Sequence, residues 1–187
     1  MEFLDIIEYF HKSLKTVGSI TQRIASLSTM PLSENDFPAS RIVVLREFDA
    51  KEMVLTVFTH ALSDKVEEIA KNPNSTIVWY DQESGLQIQF YCMGKIEVES
   101  DQVDQYIQNL KEYSYKDYFG PKPGSLLSEE QKLLLENPQN ISRDQIRFCL
   151  LRFEVQKMIC LKLGASKHEK ILFENFEHGV KKEVLVP

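Results

Sequence analysis

Four polar residues lie where a predicted short helix begins beside two predicted strands. Arg41 begins one strand, Thr59 ends the next, and Ser63 and Lys65 follow at the start of the helix. The first turn of a helix has free backbone N–H groups and a partial positive charge. Hydroxyl, ammonium and guanidinium groups around such a helix start are suited to binding a phosphate. The alternative interpretation is that Ser63 only caps the helix and that Lys65 is solvated.

A further polar position lies in a predicted strand with alternating residue types. In the segment QIQFYCMG, Gln89 and Tyr91 alternate with Ile88, Phe90 and Cys92. The polar pair is therefore predicted on one face of the strand and the apolar set on the other. An amide side chain both donates and accepts hydrogen bonds, which suits it to the polar edge of a planar heterocycle. A solvent-facing polar row explains the same pattern equally well.

Arg41 and Arg46 bracket the apolar middle of the segment RIVVLR. Their separation is odd, so an ideal strand points the two guanidinium groups to opposite faces. We therefore expect the two guanidinium groups to contact different parts of any ligand. Alternatively, both are residues at the rim of the barrel whose aliphatic side-chain carbons pack along apolar neighbours.

The remaining charged residues give weaker signals. Asp64, Glu67 and Glu68 are interpreted as solvated charges on the helix face, and His60 and His168 as surface histidines at a strand end and a turn. The sequence contains no nucleophile–base pattern, paired-carboxylate signature or glycine-rich phosphate loop. The histidines have no zinc-ligand spacing, so no metal site is predicted.

The composition is that of one globular domain spanning residues 1–187, with 43% hydrophobic and 27% charged residues. A net charge of −6 argues against a nucleic-acid or anionic-membrane partner. No apolar run approaches the roughly 20 residues of a membrane span. The three cysteines, Cys92, Cys149 and Cys160, are predicted to be reduced and buried, as in a cytoplasmic protein.

Short apolar segments joined by short connections predict about seven or eight strands and three helices. This pattern favours a mostly β fold with flanking helices, built as an antiparallel barrel. The segment STIVWYD is predicted to be buried on both faces, with Trp79 and Tyr80 in the core. Gly94 is predicted to mark a bulge or bend in a long strand.

Four segments resemble, in order and spacing, those of the pyridoxamine 5′-phosphate oxidase-related FMN-binding family. They are SRIVVLREF, VFTHALSDK, NPNSTIVWY and QFYCMGKIE, all within residues 38–98. The resemblance implies an FMN-binding split barrel that forms a homodimer with the flavins at the subunit interface. It implies cofactor contacts from one strand, from the helix start, from Gln89 across the dimer and from a C-terminal lysine. The implied cofactor-binding residues are Arg41, Ile42, Val43, Val44, Leu45, Arg46, Phe58, Thr59, Ser63, Lys65, Gln89 and Lys170. The implied substrate-side residues are Arg46 and His168.

The chain departs from the family at several cationic positions. Leu62 and Tyr91 stand where the family often has arginine, and near the C-terminus only His168 of an arginine–histidine motif is retained. Because a phosphorylated substrate needs charge-assisted contacts, these departures argue against vitamin B6 oxidation. The expected function is an FMN-dependent oxidoreductase resembling pyridoxamine 5′-phosphate oxidase, with an unidentified substrate. The alternative is a dimeric flavin-binding or structural module without catalytic turnover.

Overall fold

In the computed structural model, the described residues form eight β-strands from the apolar segments and four α-helices from the amphipathic segments. The structure describes residues 1–15, 20–164, 166–176 and 178–187. The strands are β1 Ile24–Thr29, β2 Ala39–Asp49, β3 Val54–His60, β4 Asn74–Asp81, β5 Leu86–Glu97, β6 Phe148–Lys162, β7 Glu169–Glu174 and β8 Lys181–Leu185. The helices are α1 Phe3–Lys15, α2 Asp64–Lys71, α3 Asp101–Asn109 and α4 Glu129–Glu136.

Six of the strands close into an antiparallel barrel, as the sequence predicts. Their order is β3-β2-β1-β4-β5-β6, and pairing of β6 with β3 completes the circle. Strands β7 and β8 extend the sheet beyond β6. The apolar segments FCLLRFEV and MICLKLG predict two separate strands, and this prediction is wrong, because the continuous strand β6 covers both. The first half of β6 pairs with β3 and its second half with β7, so its length joins the barrel to the extension.

The barrel interior is packed with aromatic and branched side chains and is covered by α1. Phe10 of α1 is fully buried and lies edge-on to Trp79, with ring centroids 5.0 Å apart. The Trp79 indole N–H donates to the Gln22 carbonyl oxygen at 2.8 Å. The core prediction is confirmed for Trp79 and wrong for Tyr80, which is 50% exposed. Strand β4 alternates between buried and half-buried or exposed positions, so only one of its faces is in the core.

Helix α2 packs directly on β5 because Gly94 has no side chain. A Cβ atom at Gly94 would lie 2.8 Å from Cγ2 of Ile69, a distance that real contacts do not reach. The bulge predicted at this glycine instead lies between Tyr91 and Cys92. Gly94 therefore allows the close packing of α2 on β5 at Ile69.

A second apolar cluster covers the outer surface of β3 and β6. The sequence of residues 101–115 predicts one helix, but the α-helix ends at Asn109 and a 3₁₀ helix, Glu112–Tyr118, follows it. Tyr118 lies edge-on to Phe148, with ring centroids 4.9 Å apart. This packing places the segment after Tyr118 near the start of α2.

The three cysteines are buried free thiols, as predicted. Burial raises the pKa of all three, to about 11 for Cys149 and about 12 for Cys160. Within the described residues, no helix combines the length and the apolar character that crossing a membrane requires.

Candidate functional site

A cavity of about 320 Å³ lies between β2, β3, the start of α2 and the segment after the 3₁₀ helix. It brings together most of the residues that the resemblance assigns to the cofactor. It is lined by Ile42, Val43, Val44, Arg46, Val57, Phe58, Thr59, His60, Ser63, Lys65, Asp117, Tyr118 and Pro123. Leu45, by contrast, is fully buried in the barrel core.

A cluster of Lys65, Thr59 and Ser63 forms one end of this cavity. The Lys65 ammonium donates to Thr59 Oγ1 at 3.0 Å, and Ser63 Oγ lies 3.2 Å from the same oxygen. Ser63 occupies the N-cap position of α2 as predicted, but its side chain makes no capping hydrogen bond. The hydroxyl is directed to Thr59 instead, so the first turn of α2 lacks a side-chain cap. We call these three residues the Lys65 cluster.

Lys65 is half-buried and hydrogen-bonded, unlike the solvated lysine of the alternative interpretation. Burial lowers the pKa of Lys65, and the nearby Arg41 charge lowers it further. Glu68 and Asp64 act in the opposite direction. A desolvated ammonium with few competing partners gains more from an incoming anion than a solvated one does.

Arg41 does not line this cavity, and its half-buried side chain shares a face of β2 with Leu45 of the barrel core. One of its terminal nitrogens donates to the Thr29 hydroxyl, and the other forms an ion pair of 2.7 Å with Glu68 Oε2. The interpretation of Glu68 as a solvated helix-face charge is therefore wrong. Its side chain is buried because α2 lies across the barrel with this residue facing inward.

Arg46 lines the cavity, so the two arginines do face opposite sides, as their odd separation predicts. A register shift between Leu45 and Glu47 bulges β2 at this arginine. The Arg46 guanidinium lies 5.2 Å from the centroid of the Phe58 ring. Burial raises the pKa of Tyr118, and the Arg46 charge opposes that shift. Arg46 is thus a cation held at the mouth of the cavity by an aromatic face.

His60 is a cavity residue that sequence reasoning missed. It is 5% exposed, so its interpretation as a surface histidine is wrong. Its Nδ1 accepts a hydrogen bond of 3.1 Å from the Leu62 N–H, while Nε2 has no hydrogen-bond partner among the described residues. Burial lowers the pKa of His60, and the Gly120 backbone acts in the opposite direction.

Ion pairs connect the segment after the 3₁₀ helix to α2. Lys122 forms ion pairs with Asp64 at 2.7 Å and with Glu67 at 2.8 Å. Hydrogen bonds to both carboxylates raise the pKa of Lys122. This contact joins residues far apart in the chain, and the sequence carries no signal for it.

Gln89 lies on the outer face of the sheet, which also carries Ile42. Directly paired residues of neighbouring antiparallel strands share a face. Such pairs form one row across five strands, from β1 through β4, β5 and β6 to β7. The row consists of Ser26, Val78, Gln89, Ile159 and Leu172, and Ser26 also pairs with Ile42 of β2. All of this row is half-buried, and Ile42 is 67% exposed. We call this row the outer-face row.

The C-terminal candidates lie further along the same sheet. Lys170 is half-buried and pairs with Leu161, and it lies two residues from Leu172 of the outer-face row. His168 is exposed, and its Nδ1 accepts a hydrogen bond of 3.3 Å from the Gly164 N–H. Gln89, Lys170 and His168 do not line the cavity that contains Lys65. The faces predicted for Gln89 and Tyr91 are confirmed, since Ile88, Phe90 and Cys92 are buried.

The fold and the site define an antiparallel barrel protein with a candidate anion-binding cluster at a helix start. Residues 6–100 match the family described as the FMN-binding domain of pyridoxamine 5′-phosphate oxidase. The match covers just over half of the 187 residues, and the chain belongs to this family. FMN is the cofactor that the family binds, so the predicted family and cofactor are confirmed.

Individual relatives agree with this assignment. Pyridoxine/pyridoxamine 5′-phosphate oxidase 2 of Arabidopsis thaliana is 27% identical over 154 residues, which cover 78% of this chain and 76% of the relative. A pyridoxamine 5′-phosphate oxidase-related, FMN-binding protein of Nostoc punctiforme has a TM-score of 0.76 at 20% identity, covering 100% of this chain and 98% of that one. PhzG of Burkholderia lata, solved with tetrahydrophenazine-1-carboxylic acid, has a TM-score of 0.80 at 15% identity, covering 100% and 93%. These structures confirm the predicted split-barrel fold.

Proposed function

We propose that this protein is a homodimeric FMN-dependent oxidoreductase whose phosphate site is the Lys65 cluster. The observation that carries the proposal is the contact of the Lys65 ammonium with Thr59 at the uncapped start of α2, inside a cavity. An ammonium, two hydroxyls and free helix N–H groups are the donors that a phosphate needs. The residues present therefore fit the phosphate end of FMN.

The neighbouring residues suit the remainder of the cofactor. Ile42 and Val44 offer apolar surface beside the Lys65 cluster, and Arg46 offers a cation at the cavity mouth for an anionic substrate. When bound, FMN supplies the electron-transfer chemistry, and the protein binds and orients it. His60 adds a buried polar group to the cavity wall, and burial lowers its pKa.

A second copy of the chain is needed to bring Gln89 to the same site. Gln89, Lys170 and His168 do not line the cavity of their own chain. The outer-face row is half-buried and partly apolar, which is the character of a surface that pairs with another copy. We propose that the dimer forms through this row, with Gln89 meeting the flavin and Lys170 and His168 approaching the site of the partner. Three buried, unpaired thiols support a cytoplasmic location.

A flavin-binding module without turnover is the second candidate. Leu62 is partly exposed beside the Lys65 cluster and adds no charge to it. Tyr91 supplies no cation either, and the Lys157 ammonium lies 4.4 Å from its ring centroid. Asp117 adds a carboxylate to the cavity lining. These positions weaken the case for a phosphorylated substrate, because such a substrate needs cationic partners.

Purification and spectroscopy test the proposal. We expect a yellow protein with flavin absorbance, or a colourless one that takes up added FMN and then becomes yellow. A protein that takes up no FMN contradicts it. Turnover of candidate reduced or oxidised substrates by the FMN-loaded dimer separates the enzyme from the module. With pyridoxamine 5′-phosphate or pyridoxine 5′-phosphate in air, we expect little or no pyridoxal 5′-phosphate.

A further inference from the structure

The segment after the 3₁₀ helix forms a stiff bend beside the start of α2. In its stretch GPKPG, residues 120–124, Gly120 and Gly124 have φ angles of 97° and 90°, which glycine adopts without strain. The two prolines between them restrict the backbone around Lys122. Pro123 lines the cavity, so the bend lies against the proposed phosphate site. We call residues 120–124 the strap.

The strap brings a lysine to two carboxylates in the first turn of α2. Lys122 forms ion pairs with Asp64 at 2.7 Å and with Glu67 at 2.8 Å. Asp64 stands between Ser63 and Lys65, and both of these neighbours line the cavity. The three ion-paired residues do not line it themselves. They therefore surround the start of α2 without entering the site.

We propose that Lys122 is a positioning residue of the proposed phosphate site, where it neutralises Asp64 and Glu67 and so allows the FMN phosphate to bind beside them. This inference rests on the proposed function. Because Lys122 lies outside the cavity lining, it acts through the two carboxylates and is not itself a ligand of the phosphate.

The charge of Asp64 reaches the cations of the site. The hydrogen bond from Lys122 lowers the pKa of Asp64, and the charges of Lys65 and Arg41 lower it as well. Asp64 in turn raises the pKa of Lys65. An ionised Asp64 thus attracts the same ammonium that an incoming phosphate needs. The charge of Lys122 offsets this competition.

The exposure of the three side chains limits the size of the effect. The Lys122 side chain is 47% exposed, and those of Asp64 and Glu67 are 61% and 62% exposed. Water and salt therefore screen these charges. We expect a moderate effect on the affinity for FMN that decreases as the ionic strength rises.

Fluorescence titration of FMN at neutral pH and low salt tests the inference. Lys122→Ala should bind FMN roughly fivefold more weakly than wild type. The difference should shrink to less than about twofold in about 0.5 M salt. The triple variant Asp64→Asn/Glu67→Gln/Lys122→Ala should bind at least as tightly as wild type, because no uncompensated carboxylate remains. Lys132→Ala, which removes an exposed lysine paired with Glu129, is the control and should leave the affinity unchanged.

Riboflavin, which lacks the phosphate, separates the charge effect from a change in the shape of the cavity. Lys122→Ala and wild type should bind riboflavin with affinities within about twofold of each other, because neutral ligands do not sense the two carboxylates. An equal loss for riboflavin and FMN overturns the inference, since the strap then has only a structural role.

The other outcomes are equally specific. FMN binding that is the same in Lys122→Ala and wild type overturns the inference and leaves the proposed function standing. A triple variant as weak as Lys122→Ala also overturns it, because Lys122 is then a direct ligand of the phosphate. A wild type that binds no FMN overturns the proposed function, and the inference falls with it.

Urea unfolding verifies the fold of each variant. If Lys122→Ala does not fold, the double variant Asp64→Asn/Glu67→Gln decides the question, because it retains the lysine and removes its partners. We expect this variant to bind FMN at least twofold more tightly than wild type. Equal or weaker binding overturns the inference.

Discussion

The Lys65 ammonium donates a 3.0 Å hydrogen bond to the Thr59 hydroxyl, at the start of a helix whose N-cap side chain forms no cap. Thr59 is the penultimate residue of β3 and Lys65 lies in the first turn of α2, so a tight strand-to-helix connection sets their separation. The packing of α2 against Gly94 then holds this turn against the barrel. The donors of the proposed phosphate site are therefore in place before any ligand arrives, which reduces the ordering cost of binding.

Replacing Lys65 by alanine should weaken FMN binding by about 1.5–3 kcal/mol, the contribution of a hydrogen bond to a charged group. Titration calorimetry or flavin fluorescence measures the change. Lys71→Ala is the matched control, because Lys71 lies at the other end of α2 and contacts the Leu32 carbonyl. Equal affinities of Lys65→Ala and wild type would show that the phosphate binds elsewhere.

The affinity for FMN should fall as the pH rises towards the alkaline range. Burial and the Arg41 charge lower the pKa of Lys65 from its ordinary value of 10.5, so the ammonium is lost below that pH. The FMN phosphate has a second pKa of about 6 and keeps its charge throughout this range. Lys65→Arg, which stays protonated, should bind FMN with little change over the same range. A wild-type affinity that stays constant up to pH 10.5 contradicts this prediction.

The free energy of unfolding of the unliganded protein should rise with pH in the alkaline range, whereas the affinity for FMN falls. Below 10.5 but above the lowered pKa, the folded state binds fewer protons at Lys65 than the unfolded state does. The free energy of unfolding therefore rises with pH across this window. Urea unfolding of wild type and Lys65→Met at several pH values measures the difference, and equal slopes for the two proteins would refute it.

Local geometry explains which parts of the site are predictable from the sequence. The two-residue period of a strand predicts the faces of Gln89 and Tyr91 and the opposed directions of Arg41 and Arg46. A strand end followed at once by a helix start predicts the proximity of Thr59 to the helix. These relationships depend on residues near one another in the chain, so tertiary packing does not alter them.

Contacts between distant segments explain the failures. Glu68 has the sequence pattern of a solvated helix residue, and only the docking of α2 brings it to Arg41, 27 residues earlier. His60 is buried because the distant 3₁₀ segment covers the end of β3. No periodicity within one element indicates which other element will cover it, so the sequence pattern does not predict the burial of either residue.

His60 should make the protein less stable in mild acid. Its pKa is lowered from the ordinary 6.5 by burial, so between 6.5 and the lowered value the unfolded state binds more protons than the folded state. The free energy of unfolding therefore falls as the pH decreases through this window. His60→Gln removes the titrating group and should flatten that part of the pH profile in urea unfolding. His168→Gln, at an exposed position, is the control and should keep the wild-type slope; a slope unchanged in His60→Gln would contradict the prediction.

A lysine in the outer-face row should separate the proposed dimer. Ile159 pairs directly with Gln89 and is half-buried in the free chain, so Ile159→Lys places a charge at the centre of the contact. We expect a monomer by light scattering and FMN affinity reduced about tenfold or more, because Gln89 of the partner no longer reaches the flavin. Leu133→Lys, at an exposed position of α4, should remain dimeric and bind FMN normally. A variant at Ile159 that stays dimeric places the interface elsewhere, and a monomer with full FMN affinity shows that one chain completes the site.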